Sequence, residues 1–140
     1  MKIGIDIGNV IIGGGGEDTS FFSDNYVNTP EVEGARDSLV ALKQGGHELH
    51  VISKCGPSVE LKSVVWLENY NYFPWIFLER RLNFVRKREL KAPMAQALEL
   101  DIFIDDRQDI IDSMEGIVEY PILFTSWEQT NAILKGIFPS

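Results

Sequence analysis

The chain is poor in several things that would each assign it to a class. It has one cysteine, Cys55, among 140 residues, so an internal disulfide is excluded and a reducing compartment is expected. It has no apolar run of about 18 residues, the length a membrane-spanning helix needs. Its start, one lysine ahead of a strand-like run interrupted by Asp6, lacks the small-residue cleavage site of a secretory leader; a cytoplasmic protein is expected. Basic residues are the minority, 13 against 21 acidic, for a net charge of −8. That balance argues against a protein that coats nucleic acid, although it leaves room for a local basic site. No internal repeat or heptad run is present.

What is there is an ordinary globular composition, 44% hydrophobic and 24% charged, with chain enough for one well-buried core. We expect a single domain over 1–140. Strand-like runs are predicted at 2–8 (KIGIDIG), 47–53 (HELHVIS), 74–79 (PWIFLE), 101–106 (DIFIDD) and 120–125 (YPILFT). Between and after them, helical periods run from Glu31 to the Gly45-Gly46 stop, from Pro57 to about Tyr70, and over APMAQALEL, RQDIIDSME and SWEQTNAILKGI. Strands alternating with helices imply a Rossmann-like three-layer α/β sandwich with an open, mostly parallel five-stranded sheet. Residues 12–31, with glycines at 13–16, read as a long surface loop, flexible over about 12–30.

In such sheets ligands bind beyond the carboxyl ends of the strands. There the first strand delivers Asp6, the second Ser53, and the fourth Asp105 and Asp106, with Lys91 just ahead of the helix leading into the fourth. Three carboxylates at one sheet edge repel one another unless a cation intervenes. Hard oxygen ligands of this kind suit Mg²⁺. Cation and Lys91 together make a pocket for a phosphate, and Asp6 is placed to attack phosphorus.

These motifs, in this order, resemble the haloacid dehalogenase-like (HAD) hydrolase superfamily. "IDIGNVI" is similar to its first motif, "LHVIS" to its second, "LKAPMAQALEL" to its third and "IFIDDRQD" to its fourth; the segment "VEGARDSLVALKQGGHELHVIS" is similar as well. The resemblance implies Asp6 as nucleophile and metal ligand, Gly8 as a carbonyl donor to the metal, and Ser53 and Lys91 on the substrate phosphate; Lys54, next to Ser53, is a further candidate for substrate binding. It implies Asp106 as the main metal ligand with Asp105 beside it, and the reverse assignment stays open because Asp105 and Asp109 carry the motif's other spacing. It also implies a capless type, since 13–30 is too short for a folded cap and 54–90 is largely a helix and a strand. Open sites of that class often accept large substrates or are closed by a partner subunit; the partner expected here is a phosphorylated substrate, a small molecule or a macromolecular end.

One position departs from the pattern. The family's phosphatases usually carry a second Asp two residues after the nucleophile, where this chain has Gly8. That Asp protonates the leaving group and then activates water, a contribution of about 10²–10⁴ in rate. A Mg²⁺-dependent phosphatase working through an aspartyl-phosphate is placed first. A catalytically weak phosphate- or protein-binding module comes second, and carbon–halogen chemistry last.

The remaining features have plainer readings. Arg80, Arg81, Arg86, Lys87, Arg88 and Lys91 hold six of the 13 basic residues; a solvated connector is favoured slightly over a docking site for an anionic substrate or nucleic-acid end, which would make the enzyme a nucleic-acid-end phosphatase. Taken alone, Lys91 is an exposed helix-start lysine and Asp109 a helix N-terminal acid. His47 and His50 form no metal motif. Cys55 is read as a small buried thiol. Trp66, Tyr70, Tyr72, Phe73 and Trp75 are read as core or as a contact in a homo-oligomer; the Gly13–Gly16 run lacks the Lys-Ser/Thr of a phosphate-binding P-loop.

Overall fold

The computed structural model describes residues 1–13 and 26–138, the Glu79 side chain apart. Five strands form one all-parallel sheet: β1 (Lys2–Ile5), β2 (Glu48–Lys54), β3 (Leu82–Val85), β4 (Ile102–Asp105) and β5 (Tyr120–Leu123), in the order β3-β2-β1-β4-β5. The helices are α1 (Ala35–Gln44), α2 (Pro57–Asn69), α3 (Lys91–Ala97), α4 (Gln108–Ser113) and α5 (Trp127–Ile137). The sandwich is the expected Rossmann-like one.

The three central strands are apolar throughout because both sheet faces are covered. On one face Ile3, Ile5, Leu49, Val51, Ile102 and Ile104 pack with Leu39 and Leu42 of α1, Trp66 and Leu67 of α2, and Leu134 of α5. On the other, Ile52 and Phe103 pack with Ala95 of α3 and Ile110 of α4. Gly4, in the middle of β1, faces this second layer. A methyl group there would stand 2.4 Å from Leu100 Cδ1 and 2.6 Å from Phe103 Cδ1.

Two elements depart from the sequence-based expectations. The third strand is not PWIFLE but Leu82–Val85, two residues beyond it. Pro74 has no N–H to give a ladder, and the amides of Ile76 and Phe77 both turn back onto the Tyr72 carbonyl, at 2.9 Å each. Ile76 and Phe77 are buried as core plugs. Leu82–Val85, set inside the basic segment, pairs with β2 from Val51↔Leu82 to Lys54↔Val85. Likewise α1 starts at Ala35 rather than Glu31. Glu31 bridges Ile12, Val32 donates to Ile11 O, and Gly34 turns the chain with φ of 82° before the helix can begin.

The loop expected over about 12–30 falls largely on residues outside those described. Its two described ends meet: Gly13 N donates to Pro30 O at 2.7 Å. The returning limb is fastened to α2. Trp66 Nε1 donates to Thr29 O and Tyr70 OH to Val27 O, both at 3.0 Å, and the two rings stack at 4.0 Å. The aromatic cluster is therefore core at Trp66 and Tyr72 and partly buried at Tyr70 and Phe73, while Trp75 is exposed.

The close approach at Gly4 gives a direct check on this packing. Gly4→Ala should lower unfolding stability in urea by about 1–3 kcal/mol, the usual cost of overpacking a filled core. An unchanged midpoint would contradict the packing of Phe103 and Leu100 against β1.

Candidate active site

The sheet changes direction at β1: β2 and β3 build out on one side, β4 and β5 on the other. Such a switch point opens a crevice beyond the strand ends. The register of β1 and β4, with Ile5 opposite Ile104, sets Asp6 opposite Asp105 one step further on. The Asp6 amide continues the ladder to Ile104 O at 3.0 Å. After Asp6 the chain folds tightly around one carbonyl, with the amides of Val10, Ile11 and Ile12 all donating to Ile7 O.

Lys91, the first residue of α3, reaches between these carboxylates. Its Nζ lies 3.1 Å from Asp6 Oδ1 and 2.7 Å from Asp105 Oδ2, and the side chain is 3% exposed. The exposed helix-start reading of this lysine is thus overturned. Asp105 is fully buried and uses both oxygens, the second accepting from the Arg107 amide at 3.1 Å. Asp106 stands further out on the cleft wall. One oxygen from each of Asp6, Asp105 and Asp106 lies within 4.8 Å of the others.

Three carboxylates against one ammonium leave the cluster too negative. Burial pushes Asp6 up to about 7; Lys91 opposes this, and the charges of Asp105 and Asp106 add to it. Asp105 is raised by burial too, against the pull of Lys91. Burial alone would lower Lys91, but the two carboxylates outweigh it and hold the ammonium form. A divalent cation would bring the four charges to neutrality, and the all-oxygen donor set fits a hard ion. The cluster could hold a metal.

Above it opens a cleft of about 510 Å³. Asp6, Gly8, Ser53, Lys54, Lys91 and Asp106 all line it, so the expected residues converge, with Asp105 lying beneath the floor. Gly8 is exposed, and a side chain there would meet nothing within 4 Å. Cys55 is on the wall, its thiol pushed up by burial. Asp109 is drawn aside by Arg107, at 3.0 Å and 3.3 Å. His47 stacks on Phe138 and His50 pairs with Glu48, neither on the cleft.

No protein-family model and no curated protein sequence matches this chain. The fold does match a solved structure, the class C acid phosphatase from Bacillus anthracis, with a TM-score of 0.59 and 15% sequence identity. The match covers 89% of this chain and 66% of that one, so the chain spans less than two thirds of the phosphatase's length. The likeness is one of fold.

Asn9 was not singled out by its sequence. It adopts φ of 64° and gives its Nδ2 to Asp106 Oδ2 at 3.2 Å. Asparagine tolerates this left-handed backbone better than most residues, so one residue both makes the turn and orients a carboxylate. The turn and the hydrogen bond can be separated. Asn9→Gly keeps the backbone and should weaken divalent-cation binding, read with Mg²⁺ by calorimetry, by about tenfold or more, the scale of a lost hydrogen bond to a charged group, with little loss of thermal stability. Unchanged Mg²⁺ affinity would remove Asn9 from the site.

Proposed function

We propose that the protein is a HAD-type phosphatase that hydrolyses a phosphate monoester through an aspartyl-phosphate on Asp6, with Mg²⁺ as its metal. The observation that carries the reading is the convergence of Asp6, Ser53, Lys91 and Asp106 on one cleft, over a buried Asp105. The phosphatase fold of the structural neighbour supports it.

Asp6 Oδ attacks phosphorus, the P–O bond to the alcohol breaks, and the alcohol leaves with a proton from water. Water then attacks the same phosphorus, orthophosphate departs, and Asp6 is regenerated. Lys91 holds Asp6 by its Oδ1 and carries positive charge toward the phosphoryl oxygens. Ser53, buried at the cleft floor, donates to those oxygens. Asp106, facing the cleft, is assigned as the main metal ligand with Asp6 and the Gly8 carbonyl, and Asp105, saturated by Lys91 and the Arg107 amide, braces the lysine. Bound Mg²⁺ would supply charge neutralisation and polarise the phosphoryl group.

Asp6→Asn is the informative variant, since removing Lys91 would strand two buried carboxylates at a cost of about 3–5 kcal/mol. With an aryl phosphate and Mg²⁺, wild-type turnover should vanish in Asp6→Asn while the fold persists. Equal, negligible rates would favour a binding module, the second reading, which the bare Gly8 position supports.

The space at Gly8 makes that position testable in the opposite direction. Gly8→Asp should raise turnover of an alkyl phosphate, whose leaving group needs a proton, by about 10²-fold or more, and change an aryl phosphate much less. No gain on the alkyl ester would mean that a general acid is already supplied elsewhere.

A further inference from the structure

Part of the basic segment around β3 is neutralised by its neighbours. Arg81 pairs with Glu48 at 3.3 Å and Arg86 with Glu60 at 2.8 Å. Across the cleft, Arg107 is held by Asp109. Lys91 is committed to Asp6 and Asp105 at the floor. Two cations that line the cleft are left over: Lys54 from the end of β2 and Arg88 from the turn before α3, both exposed. Among the described residues, neither has a carboxylate within ion-pair distance. Two cations without a direct ion pair at the rim of one cleft give it local positive charge in a chain of net charge −8.

Their position separates them from the phosphoryl group that Asp6 would attack. That group must reach the floor, where Asp6, Ser53 and Lys91 are each less than one-tenth exposed. A cleft of about 510 Å³ takes a whole small molecule rather than a phosphate alone. We infer that Lys54 and Arg88 form a subsite for a second anionic group, a phosphate or a carboxylate, on a small phosphate monoester. The inference rests on the phosphatase reading of the cleft and adds the substrate class. A polynucleotide end fits less well, because tracking a backbone takes a continued run of free cations, and the other two cations that line the cleft, Lys91 and Arg107, are already paired.

The test compares two matched pairs by calorimetry on the full chain with Mg²⁺: fructose 6-phosphate against fructose 1,6-bisphosphate, and glycerol 3-phosphate against 3-phosphoglycerate. Released orthophosphate is measured in parallel. In at least one pair the bis-anionic member should bind about tenfold tighter, the scale of one charge-assisted hydrogen bond, and the pair that shows it tells phosphate from carboxylate. Arg88→Gln and Lys54→Gln should each cut that ratio to within about twofold of unity. Lys87→Gln, which removes a neighbouring charge off the cleft, should leave it intact. A wild-type ratio near one in both pairs, or a ratio insensitive to Arg88→Gln, overturns the subsite. So does a 5′-phosphorylated oligonucleotide that outcompetes every small ligand. The two readings fail separately: orthophosphate released equally well from both members sinks the subsite and keeps the phosphatase. An Arg88-dependent preference without any release keeps the subsite and sinks the phosphatase.

Discussion

Everything at the head of this sheet is arranged around one buried ammonium. Lys91 stands between Asp6 and Asp105, almost wholly out of water, with Asp106 a few ångströms away. Burying charges costs several kcal/mol per ion, and a single cation facing three carboxylates recovers only part of it. A core built for stability alone would fill this volume with apolar side chains. The polypeptide instead keeps a charge deficit that a divalent ion would remove, and it keeps it at the switch point of the sheet, where the cleft opens. The raised proton affinity of Asp6 is the same deficit seen from one member of the cluster.

The backbone makes this arrangement rigid. Asp6 and Asp105 face each other because β1 and β4 are hydrogen-bonded in register, and Lys91 arrives at the start of a helix whose Ala95 is locked in the second core layer. Gly4 lets Phe103 and Leu100 press directly on β1 just below the site. The fold that results is shared with a phosphatase at only 15% identity. Such a sheet needs apolar strands of the right length and a few polar residues at their ends, and many sequences satisfy that.

Much of this was legible in the residues. Apolar runs ending in Asp6, Ser53 and Asp105-Asp106 are strands read by composition, and a parallel sheet sends their ends to one edge. The third strand escaped because PWIFLE is the more apolar stretch. Its proline and its backward-turning amides make it a plug, while LNFV, flanked by arginines, looks like a connector until the pairing with β2 is known. Asn9 escaped for a different reason: its role is a single side-chain bond across two loops, which no spacing encodes. The basic segment looked uniform in sequence. Only the positions of Glu48, Glu60 and Asp109 show which of the basic side chains are neutralised and leave Arg88 beside the cleft.

The charge deficit is the centre of the account, and proton release on metal binding measures it directly. In the metal-free protein burial pushes the Asp6 carboxyl up to about 7, against the pull of Lys91, whereas ligation requires the carboxylate. Titrating Mg²⁺ by calorimetry in buffers of different ionisation enthalpy should show proton release at pH 6 that declines toward zero by pH 8.5. Affinity should rise over the same interval and then level off. Binding with no proton release and no pH dependence between 6 and 8.5, or no binding at all, would contradict it.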